Sequence, residues 1–392
     1  MSATALDAET ILARCERLYG DTTLGEVRAW KKAHPGRPAI GHLPVYVPRE
    51  VLHAAGALPV GLAGGGDQVD IVKGDACFQS YICHIPRSTV ELGLQGDLDC
   101  LEGFVFPSTC DVIRNLSGIW QIQFPGKYVR FLDLPQTFDV ETAGKFYQHD
   151  LEELVHDIAK LGGREPSSAE AAESLRLYSA NRRALRALYD LRAEAPWLCS
   201  SDEAFLVTRA GFVLDVVEHT QLVEQFILAA KRRNKRKEDR IRVMLIGAFC
   251  EQPPLGLLRT LERSGSYVID DDLNLGMRWI QGEVDPGSSP LQAIAHAYLK
   301  QSVWASTRYE DQQRRGEQLV KRAKEIRADG VVFGAASFCD PALLDQPPLQ
   351  KALTTANIPF ISFKYAENTG QFQGILEQAG TFSDSIKLWG GA

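Results

Sequence analysis

Cys77, Cys110 and Cys339 stand 33 and 229 residues apart, in the contexts GDACF, PSTCDVIRN and SFCDP. Each lies beside a point where a strand pattern hands over to a helix pattern, and two are followed at once by an aspartate. Only a fold that gathers distant strand ends could make one site of them. Three thiolates suit an iron–sulfur cluster with one iron left open or exchangeable, because an electron-carrying cubane is normally closed by four cysteines. An open iron is a place for chemistry, so the pattern points to an enzyme subunit rather than a plain electron carrier. Zinc is the competing metal reading, but structural zinc draws on four ligands, usually from close C-x2-4-C pairs, and the sequence has no such pair. Each of the eight cysteines, taken alone, also reads as a small buried hydrophobe. Cys15 on an amphipathic helix, Cys199 in the turn APWLCSSD, and Cys100 fit that description. Cys83, in C-x5-C spacing from Cys77, and Cys250, at the end of a strand, stay in reserve as ligands.

Composition narrows the class. The 392 residues allow two or three domains with full cores, and 45% hydrophobic with 24% charged content is ordinary for a globular protein. A net charge of −7 argues against broad nucleic-acid binding, which needs a basic surface. No stretch reaches the roughly 20 apolar residues that span a bilayer. The opening MSATALDAETILARCERLYG carries acids where a signal peptide carries bases, so a cytoplasmic address is expected, without a disulfide framework. No G-x4-G-K-[ST] loop is present, and GLAGGG at 61–66 does not match the dinucleotide fingerprint. The chain therefore shows no ATP site of its own. The run KRRNKRKEDR at 231–240 reads as a solvated linker or a partner-facing surface.

The elements that must position the cysteines fall into four stretches. Residues 1–36 form an N-terminal helical segment, closed by HPGRP. Residues 37–148 form a first α/β lobe, with strands at 39–42, LPVGLA, 103–109 and 128–135, and a helix opening near Pro48. Residues 149–240 are helical and end in the basic linker; their apolar stripe (Phe205, Phe212, Val216, Leu222, Phe226) is expected to be partly core and partly interface. Residues 241–392 form a second α/β lobe, opened by the near-continuous apolar strand IRVMLIGAF, as in a sheet covered on both faces. The expectation is two Rossmann- or flavodoxin-like parallel-sheet lobes, a pseudo-duplication separated by helices. Ligands in such sheets collect at the carboxyl ends of the strands, which places the cluster in the cleft between the lobes.

The three cysteine contexts, GDACFQSYICHIPR, PSTCDVIRNL and SFCDP, with LLRTLERSGSYVIDDDLNLGMRW between them and GHLPVYVPREVLHAAGALPVGL at the start, resemble the 2-hydroxyacyl-CoA dehydratase superfamily, which includes the ATP-dependent benzoyl-CoA reductases. The likeness covers about residues 40 to 365. The length and CDVIRNLSGIWQ are most similar to the smaller cluster-binding (C or gamma) subunits of the reductases. The resemblance implies a [4Fe-4S] cluster held by Cys77, Cys110 and Cys339, and a homologous cluster-bearing sister subunit. It also implies separate ATPase activator subunits that take electrons from reduced ferredoxin, and an acyl-CoA substrate. Benzoyl-CoA would be dearomatised to a cyclic dienoyl-CoA; the alternatives are a 2-hydroxyacyl-CoA dehydratase subunit, or a relay subunit that binds no substrate. Proton delivery calls for a positioned acid. His42, Glu50 and His84 are the candidates, each with a structural alternative: a strand-end residue, a helix first-turn acid and a loop surface residue. Asp111 and Asp340 read as helix caps.

Overall fold

The computed structural model describes residues 6–287, 289–303, 312–366 and 372–389. Two helices come first: α1 (Ala8–Gly20), whose cap Asp7 accepts from the Thr10 amide at 2.7 Å, and α2 (Gly25–Ala33). The first sheet is then built by β1 (Ala39–His42), α3 (Arg49–Ala54), β2 (Leu58–Gly61), α4 (His84–Gln95), β3 (Gly103–Pro107), α5 (Asp111–Gln123) and β4 (Tyr128–Leu132). Four helices follow: α6 (Ala143–Lys160), α7 (Ser168–Glu194), α8 (Ser201–Ala210) and α9 (Val216–Lys231). The second sheet is assembled from β5 (Ile241–Ile246), α10 (Leu255–Arg263), β6 (Ser266–Asp271), α11 (Pro290–Gln301), α12 (Gln312–Glu325), β7 (Gly330–Ala336), α13 (Asp340–Thr355) and β8 (Phe360–Tyr365), with α14 (Gln373–Trp389) closing the chain.

Both sheets are four-stranded and parallel, in the orders β2-β1-β3-β4 and β6-β5-β7-β8. The two orders are the same when each sheet is numbered from its own first strand. In each, the first and third strands are neighbours and their following loops diverge to opposite sides. This is the topological switch point where open α/β sheets bind ligands. Strands β3 and β7 are buried along their whole length, because helices cover both faces, which is why they read as unbroken apolar runs.

The lobes share a core. Ile40, Val51 and Val105 of the first lobe, Leu151 and Leu154 of α6, and Val243, Leu245 and Val332 of the second belong to one apolar cluster. Helix α7 clamps the two lobes. It starts on a Ser167–Glu170 capping box. Near its middle Arg182 pairs with Glu50 of α3, and near its end Arg192 donates to Asp271 of β6 at 2.6 Å, both pairs buried.

The stripe read as part interface turns out to be core. Phe205, Phe212, Val216, Leu222 and Phe226 are each at most 5% exposed, because α1, α8 and α9 pack on one another and hide it. In the basic run Arg233 is committed to Glu203 and Glu9, and Arg240 lies over Tyr267.

Candidate functional site

Cys110 and Cys339 occupy equivalent places. Each is the N-cap residue of the helix that follows the third strand of its sheet, α5 after β3 and α13 after β7. The expected aspartate caps are displaced by one position: Asp111 and Asp340 are the first helical residues, where their charge faces the positive helix end, and the cysteines take the cap. Burial pushes the Cys110 thiol up; hydrogen bonds from the Ile113 and Val112 amides oppose this, and the nearby Cys339 adds to it. A helix N-terminus stabilises anions, so a thiolate placed there is favoured.

Cys250 lies on the loop after β5, the strand paired with β7. Its thiol hydrogen-bonds Cys339 and is held well above the usual thiol range by that bond, by burial, and by the charges of Cys339, Cys110 and Cys83. Cys83 is the N-cap residue of α4. Thiols from four separate strand-to-helix loops, two in each lobe, thus meet in one electrostatic neighbourhood. Glu251 ties the lobes together there: its carboxylate accepts from the His84 amide at 2.7 Å and the Ile85 amide at 3.4 Å. The loop bearing Cys250 is pinned by Asp272, which accepts from the Gly247 and Ala248 amides at 2.7 and 2.9 Å. Burial drives that carboxyl up to about 7 against these bonds.

Cys77 ends a 3-10 turn, Gly74–Cys77, and packs with Cys110 against the first-lobe core. Its loop is anchored by Glu91 of α4, whose Oε2 accepts from the amides of Val72, Lys73 and Gly74 at 3.0, 2.6 and 2.8 Å. Gly74 is required, since a Cβ there would stand 2.1 Å from the Arg87 carbonyl oxygen. Of the three cysteines singled out in the sequence, then, the structure brings Cys110 and Cys339 together, adds Cys83 and Cys250, and sets Cys77 on the loop leading to Cys83. The signal for Cys83 was Pro86, a first-turn proline marking a helix N-terminus just after it.

The candidate proton donors differ sharply. His42 ends β1 at the first switch point, 4% exposed; its Nδ1 meets the Leu43 carbonyl at 3.3 Å, and its Nε2 finds no hydrogen-bond partner among the described residues. Burial and the charge of Arg49 lower its pKa to about 3, so the ring is neutral at physiological pH. Glu50 is buried in the ion pair with Arg182. His84 opens α4 next to Cys83, buried rather than on the surface, with its pKa lowered by burial against the pull of Glu251. A cleft runs along the glycine-rich loop 61–68, past Arg209 and Phe212 to Gln252 and Pro254, with no cysteine in its lining. Gly64 has φ +70°, and a Cβ on it would meet Ser88 Oγ at 2.3 Å, so the loop needs glycine there.

A sequence model described as 2-hydroxyglutaryl-CoA dehydratase, D-component, matches residues 44–386. The chain belongs to this family. It is 47% identical over 380 residues to the benzoyl-CoA reductase chain designated C in Thauera aromatica, a subunit of that enzyme, covering 97% of this chain and 98% of that one. It is 28% identical to the beta subunit of (R)-2-hydroxyglutaryl-CoA dehydratase of Acidaminococcus fermentans, over 90% of this chain and 93% of that one. It is 25% identical to the beta subunit of (R)-phenyllactyl-CoA dehydratase of Clostridium sporogenes, over 83% and 86%. All three relatives are named as subunits.

The donor set fits a multinuclear cluster better than a single ion. Among the described residues no three Cys, His, Asp or Glu side chains converge closely enough to hold one metal ion. In a cubane each thiolate binds its own iron, so the sulfurs stand apart by the width of the cluster. Soft sulfur donors from four loops, three of them at helix N-caps and beside apolar cores, suit iron–sulfur chemistry and not a hard cation. No helix among the described residues is long and apolar enough to cross a membrane.

Proposed function

We propose that this chain is the cluster-bearing subunit of an ATP-dependent, ferredoxin-driven benzoyl-CoA reductase, an oxidoreductase that adds two electrons and two protons to the aromatic ring to give a cyclic dienoyl-CoA. The observation that carries the reading is the 47% identity, over nearly the full length of both chains, to a subunit of a benzoyl-CoA reductase. A bound [4Fe-4S] cluster would supply single electrons at very low potential, which the ring needs because one electron destroys its delocalisation.

Cys77, Cys110 and Cys339 are the proposed ligands. The N-termini of α5 and α13 favour the thiolates of Cys110 and Cys339, and the apolar cores on both sides lower the dielectric and hold the potential down. The same enclosure keeps water, and the loss of electrons to protons, away from the site. His42 is the proposed proton relay, since its neutral ring offers a buried, partnerless nitrogen at the switch point. Glu50, held by Arg182, fixes α3 on α7, and His84 sits where the two lobes meet. The partners follow from the reading: a homologous cluster-bearing sister subunit, ATPase activator subunits, reduced ferredoxin through them, and an acyl-CoA. We place the complex in the cytoplasm, with neither membrane nor nucleic acid as a partner.

The test is anaerobic co-expression with the sister and activator subunits, followed by iron analysis of single alanine variants. Cys110→Ala and Cys339→Ala should lose this chain's iron and the matching visible absorbance; full iron in both would sink the reading. Electron stoichiometry separates the dehydratase alternative. A reductase consumes two electrons per turnover, whereas a dehydratase continues after the reductant is exhausted.

A further inference from the structure

We infer that Arg49 anchors a buried site for one small monovalent anion, of the size of a halide ion or a single carboxylate group, where the two lobes meet. The site uses none of the cysteines and stands or falls apart from the cluster. Arg49 opens α3 and is 6% exposed. Its Nη2 donates to the Met277 carbonyl at 3.3 Å, and its guanidinium lies 5.1 Å from the centre of the Tyr178 ring. It forms no ion pair among the described residues, and in this it differs from the other buried arginines. Arg182 has Glu50, Arg192 has Asp271, and Arg315 has Asp345.

The carboxylate next in sequence, Glu50, is committed to Arg182, so these two guanidiniums and one carboxylate leave one positive charge in excess. His42 and His219, which also feel Arg49, are neutral and do not offset it. An enclosed charge without a counter-charge is strongly disfavoured, and a fold that keeps one holds a place for its counterion. There is room for it. Nε and Nη1 of Arg49 have no partner among the described residues, yet they are not sealed by neighbouring atoms as the partnerless Nε atoms of Arg192 and Arg278 are.

The backbone brings a further donor to the same turn. Val45 (φ +74°) and Tyr46 (φ +64°) take two successive left-handed steps between β1 and α3, an uncommon conformation for residues other than glycine. The amide of Val45, 1% exposed, has no hydrogen-bond partner among the described residues. It lies against the 3-10 turn Leu275–Met277 of the second lobe: a Cβ on Gly276 would stand 3.1 Å from the Val45 nitrogen, so glycine leaves that amide uncovered. Arg49 reaches the same turn at Met277. Water could accept from these donors but would leave the charge in place. A monovalent anion accepts from them and cancels it.

The experiment is calorimetry of the anaerobically purified complex in gluconate, an anion too bulky for the site, with chloride replacing it at constant ionic strength. The unfolding midpoint should rise with chloride and level off about 3 °C higher, as mass action requires of a ligand held by the folded state alone. Arg49→Met should not respond, and in gluconate it should unfold no earlier than wild type, because it removes a charge that had no partner. Arg49→Lys keeps the charge without the forked donors and should respond only at higher chloride. Formate in place of chloride tells the two kinds of occupant apart: the anion that acts at the lower concentration is the one the site fits. An equal chloride response in wild type and Arg49→Met, or none in either, overturns the inference. If Arg49→Met does not assemble, bromide decides. Crystals of the wild-type complex grown in bromide should show an anomalous peak within hydrogen-bond reach of Arg49, and no peak there overturns the inference as well.

Discussion

A cysteine at a helix cap and a cysteine in a core differ in what surrounds the sulfur, and iron analysis should separate them. Cys15 and Cys199 are buried where desolvation drives their thiols up, Cys15 to about 12. What opposes burial there is arginine charge, Arg14 at Cys15 and Arg192 at Cys199, rather than helix-cap amides, so Cys15→Ala or Cys199→Ala should leave the iron content unchanged. Cys77→Ala should lose iron while Cys83→Ala retains it; the opposite outcome would move the ligand from the 3-10 turn to the α4 cap. The pair shows where residue types stop being informative. Both sit in one short stretch, GDACFQSYIC, and spacing does not say which one the loop turns inward. His42 carries a prediction of its own. Its folded pKa, about 3, lies below the unfolded value near 6.5, so the unfolded chain binds the proton more readily. The contribution is fully present above pH 6.5 and is lost as pH falls toward 3, by roughly 1.4 kcal/mol per unit. His219, 1% exposed and lowered to about 4, acts in the same direction. Chemical denaturation between about pH 7 and 4.5 should show this slope, and His42→Phe should flatten it in part; an unchanged slope would remove His42 from the account.

Elements carry the site by holding loops, and α7 is the most exposed to a single change. Asp271 accepts from the Tyr189 hydroxyl at 2.7 Å and from Arg192 at 2.6 Å, with Arg192 fully enclosed. Asp271→Asn leaves a buried guanidinium without its counter-charge, a loss of about 3–5 kcal/mol. Denaturant titration of the apo chain should register it, and a loss under about 1 kcal/mol would show the pair to be dispensable. Glu91 is a gentler case: Glu91→Gln weakens three charge-assisted bonds to the Cys77 loop, for about 2 kcal/mol. Secondary structure was the most legible level. Strands β1 to β5 fall where apolar runs bounded by turn residues put them, most plainly the wholly buried β3, because a strand covered on both faces leaves an uninterrupted signal. Tethers such as Glu91 to residues 72–74, or Glu251 to α4, left no trace in the pattern. They depend on which acid meets which amide once the chain has folded, and an acid beside a loop reads the same whether solvated or bound.

At the scale of the whole molecule, two lobes with one strand order bring four strand-to-helix loops to a common edge, and three large apolar side chains are exposed on those loops. Tyr81, between Cys77 and Cys83, is 66% exposed; Val72, at the start of the same loop, is 73% exposed; Phe338, beside Cys339, is 51% exposed. Phe338 also adopts φ +66°, a strained conformation for a bulky residue and one found where a surface is shaped for use. The helical stripe that seemed to offer an interface is consumed internally, which leaves this face as the one for the proposed partner subunit to cover. Burying one such aromatic is worth about 2 kcal/mol, or roughly thirtyfold in affinity. Tyr81→Ser and Phe338→Ser should therefore weaken subunit association by that order while the single chain unfolds at the wild-type temperature. Phe226→Ser should do the reverse, lowering the unfolding temperature of the single chain through the loss of a fully buried ring. Dissociation constants from sedimentation, paired with calorimetry on each chain alone, resolve the two effects. If association is untouched by both surface changes, the apolar rim is not where the partner sits.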